Sequence, residues 1–527
     1  MSKTPASTLP VALAELPQDL AASFSTALAE PSALQRQLLE DRALLGHDDL
    51  LIAGPAGAGK GALAELALVR AVRGGARALI VTADDRAARA LAQELVARRH
   101  KLAPRRRKTL VVRCATLEQG GDDRAILSGE FNVAVTTHQR ARNLLVRSPA
   151  LIDAIGVLVI DDLERLVDDG DDLEILLTRR ALAERRPRLL GLWQTGSAGS
   201  LAAARLLAAR VGATLLSSDA GDDGEATLGE PRPVEPLLLH LVACGLAATS
   251  DDLRRAALTS PRRRDGGLDV ERSLTRLRAV GLVAPGRVLA CTRAGRSAAI
   301  LGLDHETALY MVRTVSDLAA PPLAQLELLA GLCATPMGLR ACAALTVGDD
   351  ASLRRALLRR AESLQLERRP IFRWLVEDLA ALEASTTRAM AAALVLDEAL
   401  CDGRDEAARR HGLPREALDA QARALAWLAA ALREIALCCP CSRARRERCD
   451  LLARALDPAA IDELAGLLRL EAPRSPAGPT RRLRRPPTHA DKPQAPPQTQ
   501  PVAGASTTAP PRRKTPRWSP FGVIYTL

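Results

Sequence analysis

Leu50-Leu-Ile-Ala-Gly54-Pro-Ala-Gly-Ala-Gly59-Lys60-Gly61 joins a short apolar run to a glycine-rich turn, and Ala62–Val72 continues it with alanine and leucine. A short apolar run without periodicity is what a strand buried on both faces looks like. The turn fits the phosphate-loop pattern G-x-x-x-x-G-K, in which glycines let backbone N–H groups wrap a phosphate and the lysine reaches the β- and γ-phosphates. A helix over Ala62–Val72 adds its anion-favouring N-terminus. Gly54, Pro55, Ala56, Gly57, Ala58, Gly59, Lys60 and Gly61 are therefore the candidate nucleotide-binding residues, with ATP as the expected ligand. One position departs from the pattern. Gly61 stands where Ser or Thr would place a hydroxyl on Mg²⁺, which weakens the metal position while leaving the backbone nest and Lys60.

Outward from this stretch, short apolar runs recur at Ala78–Thr82, Leu110–Arg113, Val133–Thr136, Val157–Ile160 and Leu189–Leu192. Most are followed by a helical segment, the alternation of parallel βαβ units. Val159-Ile160-Asp161-Asp162 ends one run with two carboxylates. Asp161 is the candidate Mg²⁺ ligand, directly or through water. Asp162 stands where a hydrolytic motor carries Glu. Asp is one methylene shorter, withdrawing the carboxylate by about 1.5 Å, and misplacement of about 1 Å costs roughly 10²-fold in rate. The plainer alternative is that both aspartates merely cap a loop.

The chain has 527 residues, 47% hydrophobic and only 2% aromatic, with a formal charge of +11. Ala, Leu and Arg dominate, and all three favour helix. The charge is uneven. From Pro473 onward ten Lys or Arg face one acid, Asp491, so the tail carries +9 and the body +2. The division expected is a lead and helix at 1–45, with Gln35 and Gln37 near the helix start, and an α/β domain with a parallel sheet at 46–218. A Gly/Asp/Glu/Pro linker at 219–236 follows. A winged-helix unit at 237–304 comes next, built from helices Leu237–Ala247, Asp251–Leu258 and Val270–Val280 and a hairpin around Pro285-Gly286. A helical domain at 305–472 and a disordered basic tail at 473–527 complete the chain. No apolar stretch reaches the roughly 20 residues that span a bilayer, and the polar N-terminus does not read as a secretory signal. Ten cysteines without such a signal point to a reducing, cytoplasmic setting.

These motifs, in this order, resemble the Ski-like superfamily-two helicases, especially the archaeal fork-repair, helicase-Q and polymerase-theta helicase domains. The resemblance runs from about residue 30 to 437. Ala78-Leu-Ile-Val-Thr82 resembles the family's first nucleic-acid-contacting segment, and Asn132–Thr137 with Arg142–Leu145 a later one. Val159–Leu166 occupies the DExH motif, with Glu164 at the histidine. Gly191-Leu-Trp-Gln-Thr195 sits where the family has Ser-Ala-Thr, and Arg232-Pro-Val234 resembles the exit from the first RecA-like domain. Only Glu235 and Pro236 separate that exit from Leu237, so the second RecA-like domain and its arginine fingers are expected to be missing. Such a finger is worth about 10³–10⁵ in rate.

The resemblance implies a helical, ratchet-like segment over Arg415–Leu437, in which Trp427 stacks on bases. The family's partner arginine falls near Ala420, leaving Arg423 as substitute. Trp427 as a core residue is the competing reading. Arg105, Arg106 and Arg107 lie in a run of seven Lys or Arg within eleven residues, Arg98–Lys108, which tracks phosphates or forms a solvated loop. Arg481 and Arg482 in the tail are nonspecific, salt-sensitive phosphate contacts. Cys438 and Cys441 have the C-x₂-C spacing of a zinc site, with Cys449 as a third ligand, but a second pair is absent and free thiols are the simpler account. The expectation is a nucleic-acid-binding, helicase-related accessory protein with weakened or lost ATPase activity, more suited to single-stranded or forked DNA than RNA, in repair or recombination. Its rivals are an ATP-dependent helicase completed by a partner or second copy, and a protein-interaction scaffold.

Overall fold

The computed structural model describes residues 31–40, 46–102, 110–116, 122–168, 171–196, 200–217, 227–228, 233–262, 269–316, 323–342, 350–365, 384–469, 518–519 and 522–523, with 21, 24 and 44. Seven parallel strands form one sheet: β1 Leu50–Gly54, β2 Ala78–Thr82, β3 Val112–Ala115, β4 Val133–Thr137, β5 Val157–Ile160, β6 Arg188–Gln194 and β7 Thr214–Ser217. Their spatial order is β3-β4-β2-β5-β6-β1-β7. The period of two assigns the core. Leu50, Ile52, Ile80, Val135, Val159 and Leu192 face one side with the helices Lys60–Arg73 and Asp85–Leu102. Leu51, Ala53, Val81, Leu158, Ile160 and Trp193 face the other, against helices His138–Arg147, Asp171–Ala181 and Leu201–Val211. A sheet covered by helices on both faces explains why its inner strands are apolar runs without alternation.

The expected strands sit where the apolar runs are, with one displaced and one added. The third begins at Val112 rather than Leu110 and ends at Ala115. It is an edge strand whose Val112, Arg113 and Cys114 are half-buried, so hydrophobicity marks its ends poorly. The strand β7 was not expected. It pairs only with β1, and Thr214 is exposed, so it shows no apolar run.

The expected linker boundary is corrected: the helix after it starts at Glu235, not Leu237, with Pro236 in its first turn, where a missing N–H costs nothing. It ends at Ala243, before Gly245 in the left-handed region (φ 68°). Thr249 caps the next helix, Ser250–Ala257, through a reciprocal capping box with Asp252. Helix Val270–Ala279 follows, and the expected hairpin reduces to one antiparallel bridge, Val283 to Cys291, before helix Arg293–Leu301. Helices from His305 to Arg469 complete the region. The boundary drawn at 304 does not divide the packing, because Leu274, Leu277, Leu301, Leu329, Leu394 and Leu432 belong to one continuous core. The tail expected to be disordered contains a two-residue antiparallel pairing, Trp518–Ser519 with Gly522–Val523.

A buried charge cluster holds helix His138–Arg147 in place. Asp123, 1% exposed, accepts from Arg140 Nη2 at 2.7 Å and Nε at 3.2 Å, and also pairs with Arg147. Removing one partner of a buried ion pair leaves an uncompensated charge, a loss of about 3–5 kcal/mol. Asp123→Ala is therefore expected to lower unfolding free energy by about that amount, read by urea denaturation. A loss below about 1 kcal/mol would mean the cluster contributes little.

Candidate functional site

All seven strands of the large sheet run parallel, so their C-terminal ends lie along one edge, where open α/β sheets bind ligands. At the end of β1, Pro55 O accepts from Ala58 N at 3.3 Å, and Gly57 takes φ 75°, a turn that needs glycine at its third position. Gly59, with φ 80°, is the N-cap of helix Lys60–Arg73. No side chain caps this helix and no acid sits in its first turn, so its N-terminal end is open to an anion. Lys60 Nζ donates to Gly54 O and Pro55 O, each at 2.8 Å. Pro55, Ala56, Gly57 and Gly61 are exposed, and Lys60 is half-buried. The eight candidate residues thus form one loop with the geometry of a phosphate cradle.

Sequence reasoning missed what braces this loop. Ser32 Oγ donates to Ala58 O at 2.8 Å, and Gln35 Nε2 donates to Gly59 O at 3.2 Å. The two are tied by a capping box, with Gln35 N bonded to Ser32 Oγ at 3.2 Å and Ser32 N to Gln35 Oε1 at 2.9 Å. A Cβ on Gly59 would lie 2.0 Å from Gln35 Nε2, so this glycine is required by both its φ and its neighbour. The signal was available as Ser-x-x-Gln at 32–35.

On the other side of the site, Asp161 N donates to Val81 O at 2.8 Å, carrying the sheet register one residue past β5. Asp161 Oδ1 accepts from Asp162 N at 3.1 Å. Burial raises the Asp161 carboxyl above its ordinary value, as does the Asp162 charge, against a smaller opposing pull from Lys60. Lys60 and Asp161 thus lie near enough to feel each other's charge. Asp162 has φ 53°, a region Asp tolerates better than most residues. Glu164 is neither a histidine nor free: its Oε2 accepts from Gln194 N at 2.9 Å, and burial pushes its carboxyl up. Thr195 N donates to Gly54 O at 3.0 Å, so Gln194 and Thr195 touch both halves of the site. His138, also missed, places Nε2 at 3.1 Å from Asp161 O, and burial lowers its pKa.

The donors suit a nucleotide better than a free metal. Among the described residues no three His, Cys, Asp or Glu side chains are grouped to hold a metal ion. Mg²⁺ ordinarily takes one or two carboxylates plus nucleotide phosphates and water, and Asp161 supplies such a carboxylate. A Cβ on Gly61 meets nothing within 4 Å, so the space a serine hydroxyl would use is open.

The remaining candidates are dispersed. Trp427 lies on helix Arg415–Cys438, partly buried against the helical core, with Nε1 buried and without a hydrogen-bond partner. Arg423, one turn earlier, is exposed. Cys438 Sγ lies 3.5 Å from Ser297 Oγ, Cys441 Sγ 3.5 Å from Ser442 O, and Cys449 is buried with its thiol pushed up to about 12. Cys441 is also near enough to Cys449 to help raise its pKa, but among the described residues no three His, Cys, Asp or Glu side chains are grouped to hold zinc. Arg105, Arg106, Arg107, Arg481 and Arg482 lie outside the described residues.

A parallel sheet with this loop after β1 and an acidic pair after β5 defines the domain as a RecA-like P-loop domain. Residues 32–192 match the family model described as DEAD/DEAH box helicase, so this part of the chain is a DEAD/DEAH box helicase domain. Among solved structures, the chain is similar to Mycobacterium smegmatis helicase Lhr bound to ssDNA and AMP-PNP at 12% identity and TM-score 0.43, over 86% of this chain and 94% of that one. The Pyrococcus furiosus Hef helicase domain gives 17% identity and TM-score 0.28, over 73% and 75%. DUF1998 helicase MrfA bound to DNA gives 13% and 0.29, over 55% and 46%.

Two outcomes follow for the loop. Lys60→Ala is expected to abolish ATP binding in calorimetry with the melting temperature unchanged, and equal binding by both proteins would rule out this site. Gly61→Ser is expected to fold normally and to make ATP binding more strongly Mg²⁺-dependent. For the helix, Trp427→Ala opens a cavity and is expected to cost about 2–4 kcal/mol of stability. Arg423→Ala is expected to lower single-strand affinity at constant melting temperature. An unchanged melting temperature for Trp427→Ala, with loss of single-strand affinity, would instead make that ring a base-stacking platform.

Proposed function

We propose that this chain is a nucleic-acid-binding, helicase-related protein that binds ATP through its P-loop but hydrolyses it poorly, acting as an accessory factor on single-stranded or forked DNA during repair or recombination. The observation that carries this reading is the asymmetry of the site. The phosphate cradle is fully built and braced by Ser32 and Gln35. The side that would position metal and water carries Gly61, Asp162 and Glu164, the last engaged by Gln194 N. The described residues also hold a single sheet of RecA-like type, and among them no second such domain supplies an arginine finger. Nucleic-acid contact is assigned to Arg423 with the accessible edge of Trp427, to Arg105–Arg107, and to the tail cations including Arg481 and Arg482. Among the described residues no helix is long and apolar enough to cross a membrane.

A second reading is a motor completed by a partner or a second copy. It is favoured by the exposure of Pro55, Ala56, Gly57 and Gly61, which leaves the cradle open where a second domain would close.

Steady-state ATP turnover by the purified chain, with and without single-stranded DNA, tests both. Turnover near background is expected in either case. Brisk DNA-stimulated turnover by a demonstrated monomer overturns the weakened-motor reading, and turnover rising steeply with protein concentration supports assembly in trans.

A further inference from the structure

The residues that precede the strands, at the opposite edge of the sheet from the phosphate loop, enclose an open cavity of about 690 Å³, within the size range of ligand-binding clefts. It runs along the starts of β3, β4, β2, β5 and β6, which are successive neighbours in the sheet. Four strand spacings of about 4.8 Å make it about 19 Å long, the length of about six extended residues. Its charges alternate in that order: Arg113 on β3, Glu130 before β4, Arg77 before β2, Asp153 before β5, and Arg185 with Arg186 before β6. Three of them are already engaged. Arg113 pairs with Asp122 at 3.4 Å and Arg186 with Asp49 at 2.9 Å, while Asp153 Oδ1 accepts from Glu184 N at 2.7 Å and Arg185 N at 3.3 Å. Arg77, Arg185 and Glu130 are exposed and form no ion pair with a described residue. Glu184 is exposed beside Arg185 but does not line the cavity. Arg77 is held in place without an acid. Its guanidinium lies over the Phe131 ring at 6.0 Å from the centroid, and a Cβ on Gly129 would fall 3.2 Å from its Nη1. Val111, Phe131 and Ile155 add apolar lining, the first 38% exposed and the other two buried.

We propose that this cavity docks an acidic peptide segment of a partner protein, with carboxylates on Arg77 and Arg185 and an apolar side chain between them over Ile155. The spacing sets the pattern. Arg77 and Arg185 precede β2 and β6, which lie two strand spacings or about 10 Å apart, with Ile155 before the intervening β5. A guanidinium fork matches a carboxylate bidentately, and an arginine already ordered by Phe131 and Gly129 loses less side-chain freedom on binding. Nucleic acid suits the cavity less well. It carries a phosphate on every nucleotide and would set one against Glu130, and the buried Phe131 lies beneath Arg77 rather than open to a base. A peptide can instead pass uncharged residues by Glu130 and Asp153. A compact small anion would leave most of the length unfilled.

The test is fluorescence anisotropy of the full chain with a labelled peptide, Gly-Ser-Glu-Leu-Ser-Glu-Ser-Gly, beside its Glu-to-Gln counterpart and a labelled single-stranded DNA. One variant combines Arg77→Gln with Arg185→Gln. A second, Arg185→Glu alone, changes an exposed side chain and spares the contact of Arg77 with Phe131. The unmutated chain is expected to bind the acidic peptide and not the Gln counterpart. Each variant is expected to lower that affinity at least about tenfold, the scale of a lost charge-assisted hydrogen bond. Single-strand affinity, ATP binding and melting temperature are expected to stay unchanged. No binding of the acidic peptide by the unmutated chain, or equal binding of the Gln counterpart, overturns the proposal. Acidic-peptide affinity that both variants leave intact places the peptide on the basic tail and overturns it too, as does an equal loss on single-stranded DNA.

Discussion

The parallel register of the sheet is the constraint on which the rest depends. Leu50 pairs with both Leu190 and Thr214, and Val81 with both Thr136 and Ile160, so β1 and β2 are fixed on either side. Because a slip of one residue would turn each apolar side chain to the opposite face, two buried faces specify this register strongly. It also delivers Gly54, Thr82, Thr137, Asp161 and Gln194 to a common edge. The bonds from Thr195 N to Gly54 O and from Gln194 N to Glu164 extend the sheet into the site, making the cradle and the acidic strand end parts of one rigid frame.

On the proposed reading that frame is well made on one side and poorly equipped on the other. Backbone groups do the work of the cradle, and a glycine loop under an uncapped helix retains phosphate affinity whatever becomes of the chemistry. Hydrolysis needs side chains at specified distances and a second domain to exclude water. On the proposed reading Gly61, Asp162 and Glu164 each change such a side chain, and their effects would fall on the reaction rather than on binding.

The helical region is seated on the face of the sheet away from helix Lys60–Arg73. Helix Glu235–Ala243 packs on Asp171–Ala181, and Arg293–Leu301 on His138–Arg147. Polar contacts reinforce the joint: Ser260 Oγ donates to Glu174 Oε1 at 2.5 Å, Arg210 Nη1 to Pro261 O at 2.6 Å, and Arg142 pairs with Asp172. Gly302 lies so close to Arg142 that a Cβ would fall 1.1 Å from Nη2, and its φ of 68° independently favours glycine. His240 is fully enclosed there, its pKa driven well down by burial and by Arg179 and Arg142, so the joint is built around a neutral imidazole. The same helix His138–Arg147 thus touches Asp161 at its first residue and carries the helical region along its length.

By itself the sequence determined the elements whose local chemistry is self-contained. The loop Gly54–Gly61, six of the seven strands and the passage from α/β to all-helical structure were legible because glycine turns and doubly buried strands act over a few neighbours. The edge strand β7 was not, since pairing on one side demands no apolar run. Nor was the brace of Ser32 and Gln35 on Ala58 and Gly59, which joins residues 24 and 26 positions apart. The environments of Trp427, Cys449 and His240 were likewise decided only by tertiary structure. A ring, thiol or imidazole carries no local mark of whether its partner will be solvent, a base or the packed side chains of helices distant in the chain, and burial alone sets that choice.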